Sequence, residues 1–100
     1  MEKIVCKGIK GKKETELTCS REKRSDRWTV LVNGERQDRA EAFISVYAEK
    51  QIPFAGTCCP DDKNSIYYAM SAVERYFDRS ARFVELISEE LMPFEPGVVY

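Results

Sequence analysis

Ile52-Pro53-Phe54-Ala55-Gly56-Thr57-Cys58-Cys59-Pro60-Asp61-Asp62 divides this 100-residue chain into a sheet-and-helix part before it and a helix-and-strand part after it. Ile52 precedes a proline and is driven out of the helical region, so a helix arriving from the N-terminal side must stop near Gln51. Asp61 or Asp62 can cap a second helix that starts just beyond. The stretch therefore reads as a joint between two helices, with Phe54 and the cysteines plugging the end of the core between them.

Moving toward the N-terminus, Ala40, Phe43, Ile44, Tyr47 and Ala48 recur at spacings of three and four and form one apolar helical stripe. Asp38-Arg39-Ala40-Glu41 has the pattern of a capping box at its start. Before it come three strands. Lys3 to Lys10 puts Ile4, Cys6 and Gly8 on one face, and Glu14 to Arg21 puts Leu17 and Cys19 on one face. A turn centred between Lys12 and Lys13 would set Cys6 opposite Cys19 and Gly8 opposite Leu17, a cross-strand position that allows a disulfide under oxidising conditions. Arg27 to Val32 alternates cleanly, with Trp28, Val30 and Val32 on one side. Asn33-Gly34 suits the positive φ of a tight turn, followed by at most a very short return strand.

Moving toward the C-terminus, a helix is expected from Asp61 or Asp62 to about Asp78. It carries one stripe of Ile66, Ala69, Met70, Val73 and Phe77 and a second of Tyr68, Ala72 and Tyr76, with Tyr67 beside the first. A helix so apolar around its circumference needs neighbours on more than one side. Residues 82–88 fit a strand better than a helix, being short, β-branched and flanked by turns. The expected fold is α+β: an antiparallel sheet of three to four strands with two helices on one face, chain order β-β-β-α-α-β and spatial order 4-1-2-3. Residues 1–100 form one domain, with 92–100 a docked C-terminal tail.

Bulk composition agrees with a folded domain. The chain is 43% hydrophobic and 33% charged, outside the range of disordered or fibrous sequences. Its longest uncharged runs, Gln51 to Pro60 and Asn64 to Val73, span ten residues each, short of the roughly 18 needed to cross a bilayer. The N-terminus has charges too closely spaced for a signal peptide, so a cytoplasmic location with reduced cysteines is expected. Net charge is −1 but uneven: nine Lys and Arg against five acids in residues 1–30, and seven against twelve in residues 31–100. The basic excess sits at Lys10, Lys12 and Lys13 and at Lys23, Arg24 and Arg27. As a patch these six could attract phosphate or nucleic acid, although charged turns also serve simply to keep a small sheet soluble.

The chain has no histidine, which removes imidazole bases and nitrogen ligands for zinc. Its four cysteines include no C-x-x-C pair, its acids have no calcium or magnesium spacing, and Lys7 to Lys13 lacks the pattern of a phosphate loop. No metal or cofactor is expected. Cys58 and Cys59 precede a helix start, where exposed N–H groups favour thiolate, but Asp61 and Asp62 oppose that and no base is adjacent. They are candidate reactive thiols for a redox or sensing role, weighed against a space-filling one. Cys6 and Cys19 read as core residues.

The residues thus lean away from an enzyme and toward a small interaction or self-associating module, a homodimer or a binder of another protein. The candidate surface is Tyr67, Tyr68, Ala72 and Tyr76 of the second helix, with Phe94 and Tyr100 of the tail, since tyrosine-rich apolar patches favour association. Thiol chemistry at Cys58 and Cys59, and weak nucleic-acid or phosphate binding through the basic turns, are the alternatives.

Overall fold

A computed structural model describes residues 1–50 and 64–90. The fold is α+β, a single antiparallel sheet with two helices. Its elements are β1 (Glu2–Lys10), β2 (Lys13–Arg21), β3 (Thr29–Val32), β4 (Glu35–Arg36), α1 (Asp38–Glu49), α2 (Ile66–Tyr76) and β5 (Arg79–Ile87). The sheet order is β4-β3-β2-β1-β5. This differs from the expected 4-1-2-3 in having a fifth strand, the two-residue β4, outside β3. Asn33 and Gly34, at φ 52° and 84°, make the tight turn that folds β4 back.

The β1–β2 register corrects the expected one. Gly11 and Lys12 both take positive φ, 58° and 70°, so the two-residue turn lies one position earlier than expected and Lys10 pairs with Lys13. Both central residues left-handed is the turn whose twist matches the flanking strands, and glycine at position 11 makes it accessible. Cys6 consequently faces Leu17, and Ile4 faces Cys19. The two thiols are diagonal neighbours, both free, rather than the directly opposed pair expected from the turn position. The shift is two residues, one full side-chain period, so Ile4, Cys6, Leu17 and Cys19 still share the inward face.

That face carries the core. Ile4, Leu17, Val30, Cys6 and Cys19 are fully buried against Ile44 of α1 and Ile66 and Val73 of α2. Regular β3 begins at Thr29 rather than Arg27, yet Trp28 is buried all the same. The capping box expected at α1 does not form. Gln37 is the N-cap, without a side-chain bond, and Asp38 is the first helical residue, its carboxylate 3.8 Å from Arg36. The helix ends at Glu49, with the Lys50 N–H donating to the Tyr47 carbonyl. Along its stripe Ala40, Ile44 and Ala48 are buried, while Phe43 and Tyr47 stack on each other at 4.3 Å between centroids.

Ser65, not an aspartate, caps α2, its hydroxyl accepting from the Tyr67 N–H at 3.3 Å. Asp61 and Asp62 lie outside the described residues, as does the rest of the joint at 51–63. α2 is shorter than expected because Phe77 leaves the helix in an extended conformation and drops onto the sheet over Gly8. The Asp78 N–H donates to the Ile9 carbonyl, and β5 starts at the next residue, three positions earlier than expected. β5 runs antiparallel to β1 with two register irregularities, and Ser80 at φ 59° falls in one of them. No described helix is long and apolar enough to cross a membrane.

Candidate interaction surface

β5 differs from the other long strands in its surroundings. α1 packs over β3 and α2 over β1, which leaves β5 outside the helical footprint. Five of the nine residues of β1 are buried, whereas none of β5 is. Phe83 and Leu86 lie opposite Cys6 and Ile4 on the helix side, where with Ala81 they pack against the rim of the core. Arg82, Glu85 and Ile87 lie opposite Lys7, Val5 and Lys3 on the helix-free side. Val84 is the extra residue of a bulge between these two sets.

Val84 and Ile87 are 47% and 41% exposed, and Met1, whose ammonium lies 3.9 Å from Glu89, is exposed at the same end. Three of the four exposed large hydrophobics among the described residues therefore sit on or beside β5; Val46 on α1 is the fourth. Across from them Val5 is buried on the helix-free face. It lies between Lys3 and Lys7, whose ammonium groups pair with Glu85 at 3.3 Å and Glu16 at 3.7 Å. Among the described residues β5 also has no strand on its second side, so its outer backbone groups are a template for another chain.

A buried polar cluster anchors the end of this strand. Arg21 Nε and Nη2 each lie 2.7 Å from Glu2 Oε1, with both side chains almost wholly buried. Arg21 also donates to the carbonyls of Arg24 and Asn64 and stacks its guanidinium 4.3 Å above the Trp28 ring. The second oxygen of Glu2 accepts from Ser88 Oγ at 2.7 Å. Glu90 accepts from the Ser65 hydroxyl at 2.8 Å and pairs with Arg24 at 2.9 Å. The cap of α2, the starts of β1 and of the loop after β2, and the residues after β5 are thereby fastened together. The close pairing of Arg21 with Glu2, and of Glu2 with Ser88, makes the cluster a clamp. Beside it lies a cavity of about 550 Å³ between α1 and the loop after β2, walled by Arg21, Arg27, Trp28, Glu41, Val46 and Asn64.

The sequence-derived candidates scatter. Tyr68 and Ala72 are in the core, and Tyr67 and Tyr76 are half-buried. Tyr76 packs edge-on against Phe43 and Phe77 with Lys10 over its ring, and burial raises its phenol pKa. These four residues thus face several neighbours inside the chain rather than forming one exposed patch. Phe94 and Tyr100, the tail 92–100, and the thiols of Cys58 and Cys59 lie outside the described residues. The six basic residues are all exposed but form two clusters. Lys10, Lys12 and Lys13 sit at one end of β2 and Lys23, Arg24 and Arg27 at the other, separated by a nine-residue strand. At ~3.3 Å per residue the two clusters are roughly 30 Å apart. Lys10 is further engaged by Asp78 at 3.8 Å.

Burial pushes the Cys6 thiol up to about 11 and the Cys19 thiol up to about 12, so neither is a nucleophile near neutral pH. The feature that residue patterns passed over is the edge position of β5. Its signal was present in Arg79, Arg82 and Glu85, charges spaced through an otherwise apolar strand in the way edge strands are protected. Compared with models of protein families, with curated proteins and with solved structures, the chain matches none.

Proposed function

We propose that this protein is a small non-enzymatic interaction module that binds a protein partner along β5. The observation that carries this reading is a nine-residue edge strand with no buried residue and with Val84 and Ile87 exposed, in a chain whose other long strands are well covered. An extended partner added there would pair with the outer backbone groups of β5 and cover those two side chains, which is recognition by strand addition. The bulges and charges of β5 make such pairing selective, because a partner must match the irregular edge and place countercharges beside Arg82 and Glu85.

Photo-crosslinking residues placed at Val84, at Ile87 and, as a control, at the exposed Thr29 of β3 test the reading in cells. Adducts mapped by mass spectrometry to a defined protein segment from positions 84 and 87, and not from 29, are expected. Absence of any adduct at 84 and 87, or equal capture at 29, would show that β5 is not the binding surface.

A further inference from the structure

We infer that the strand paired with β5 is β5 of a second copy, running antiparallel about a two-fold axis. The inference rests on the reading of β5 as the binding surface and names its partner. The sequence of the strand is self-complementary in that geometry. With the axis between Phe83 and Val84, Arg82 of each copy falls opposite Glu85 of the other, Ala81 opposite Leu86, and Ser80 opposite Ile87. In a regular strand Arg82 and Glu85, three residues apart, would point to opposite faces. Here the bulge at Val84 intervenes, and the pairing with β1 places both on the helix-free face, opposite Lys7 and Val5. Ala81 and Leu86 both pack on the helix side. The bulge therefore brings matched faces and opposite charges into the same register, twice over, as an isologous contact requires.

The charges already present favour this arrangement. Among the described residues no carboxylate pairs with Arg82, while Glu85 is 45% exposed beside Lys3. Bringing the second copy's Arg82 next to Glu85 places a carboxylate between two cations and gives each Arg82 a carboxylate partner, which it lacks among the described residues of its own chain. The exposed Val84 side chains meet near the axis. The resulting sheet has ten strands, with the short β4 as its only two ends among the described residues, which leaves little edge for further growth.

Sedimentation equilibrium and light scattering on the full chain from roughly 1 to 200 µM test the inference. A reversible monomer–dimer equilibrium is expected. Arg82→Glu and Glu85→Arg, both at exposed positions, should each raise the dissociation constant by about tenfold or more through like-charge opposition. The combined R82E/E85R variant should lower it again by about threefold or more from either single variant, because the opposed pair is restored with its signs exchanged while the new cation at position 85 stands beside Lys3. A chain monomeric throughout this range, or a dimer indifferent to the single reversals or no tighter in the double variant than in the single ones, overturns the inference. If the chain is monomeric while position 84 crosslinks to a different protein, the second-copy inference fails and the interaction reading survives. If position 84 also captures nothing, both fail.

Discussion

Gly8 shows how one missing side chain shapes the whole helical layer. A Cβ placed on it would lie 2.8 Å from two atoms of the Phe77 ring and 3.2 Å from the Ala81 backbone. The absence of that atom lets Phe77 drop onto the sheet and turn the chain from α2 into β5 within two residues. Gly8→Ala should therefore destabilise the fold by about 1–3 kcal/mol through overpacking. Urea denaturation would show it as a lowered midpoint, and combination with Phe77→Leu should cost less than the sum of the two single changes. The buried thiols give a second expectation. Unfolded cysteines ionise near 9.0, whereas Cys6 and Cys19 hold their protons to about 11 and 12 in the fold because burial disfavours the thiolate. Above pH 9 the unfolded chain loses protons that the folded chain keeps, so these groups leave stability level below pH 9 and reduce it as pH rises beyond. Urea midpoints at pH 8 and pH 10 should differ in that direction, with a smaller drop in Cys19→Ala, and neither thiol should be alkylated in the native protein at pH 8. The core role of both cysteines was legible from their inward spacing. That of Tyr68 and Ala72 was not, because periodicity says which residues share a helix face and not which neighbour covers it.

At the scale of elements, alternation and helical spacing were enough to find four of the five strands and both helices. Their ends depended on interactions outside each element. The β1–β2 turn settled on Gly11 because that position tolerates positive φ, and the whole hairpin register moved with it. Ser65 caps α2 while donating to Glu90, twenty-five residues away, and so serves two elements at once. The Glu2–Arg21 pair plays a similar part, since it joins two strand ends to Asn64 and Ser88. Glu2→Gln leaves the Arg21 guanidinium buried without its countercharge and should cost about 3–5 kcal/mol, while Glu2→Leu combined with Arg21→Met should cost much less. Thermal or urea unfolding of the three proteins measures this directly. A loss below about 1 kcal/mol for Glu2→Gln would show that the clamp is not a determinant of the fold.

At the scale of the molecule, the role proposed for β5 rests on its place in the sheet order. Strand identity could be read for residues 82–88 from their apolar, β-branched character, but not the earlier start of β5 at Arg79. Their exposure could not, since it arises from where α1 and α2 lie and from the order β4-β3-β2-β1-β5. The same topology splits the basic residues between two ends of β2, so a surface that looks continuous in charge counts is divided in space. Edge position, bulge and charge placement together are what support the proposal that β5 is the face on which this chain meets another. Amide hydrogen exchange on the full chain, followed residue by residue as protein concentration rises, tests that account most directly. Protection should grow along residues 79–87 with concentration, while β1 and β2, already paired on both sides, stay unchanged. Protection of β5 that is independent of concentration, or that grows on α1 or β4 instead, would contradict it.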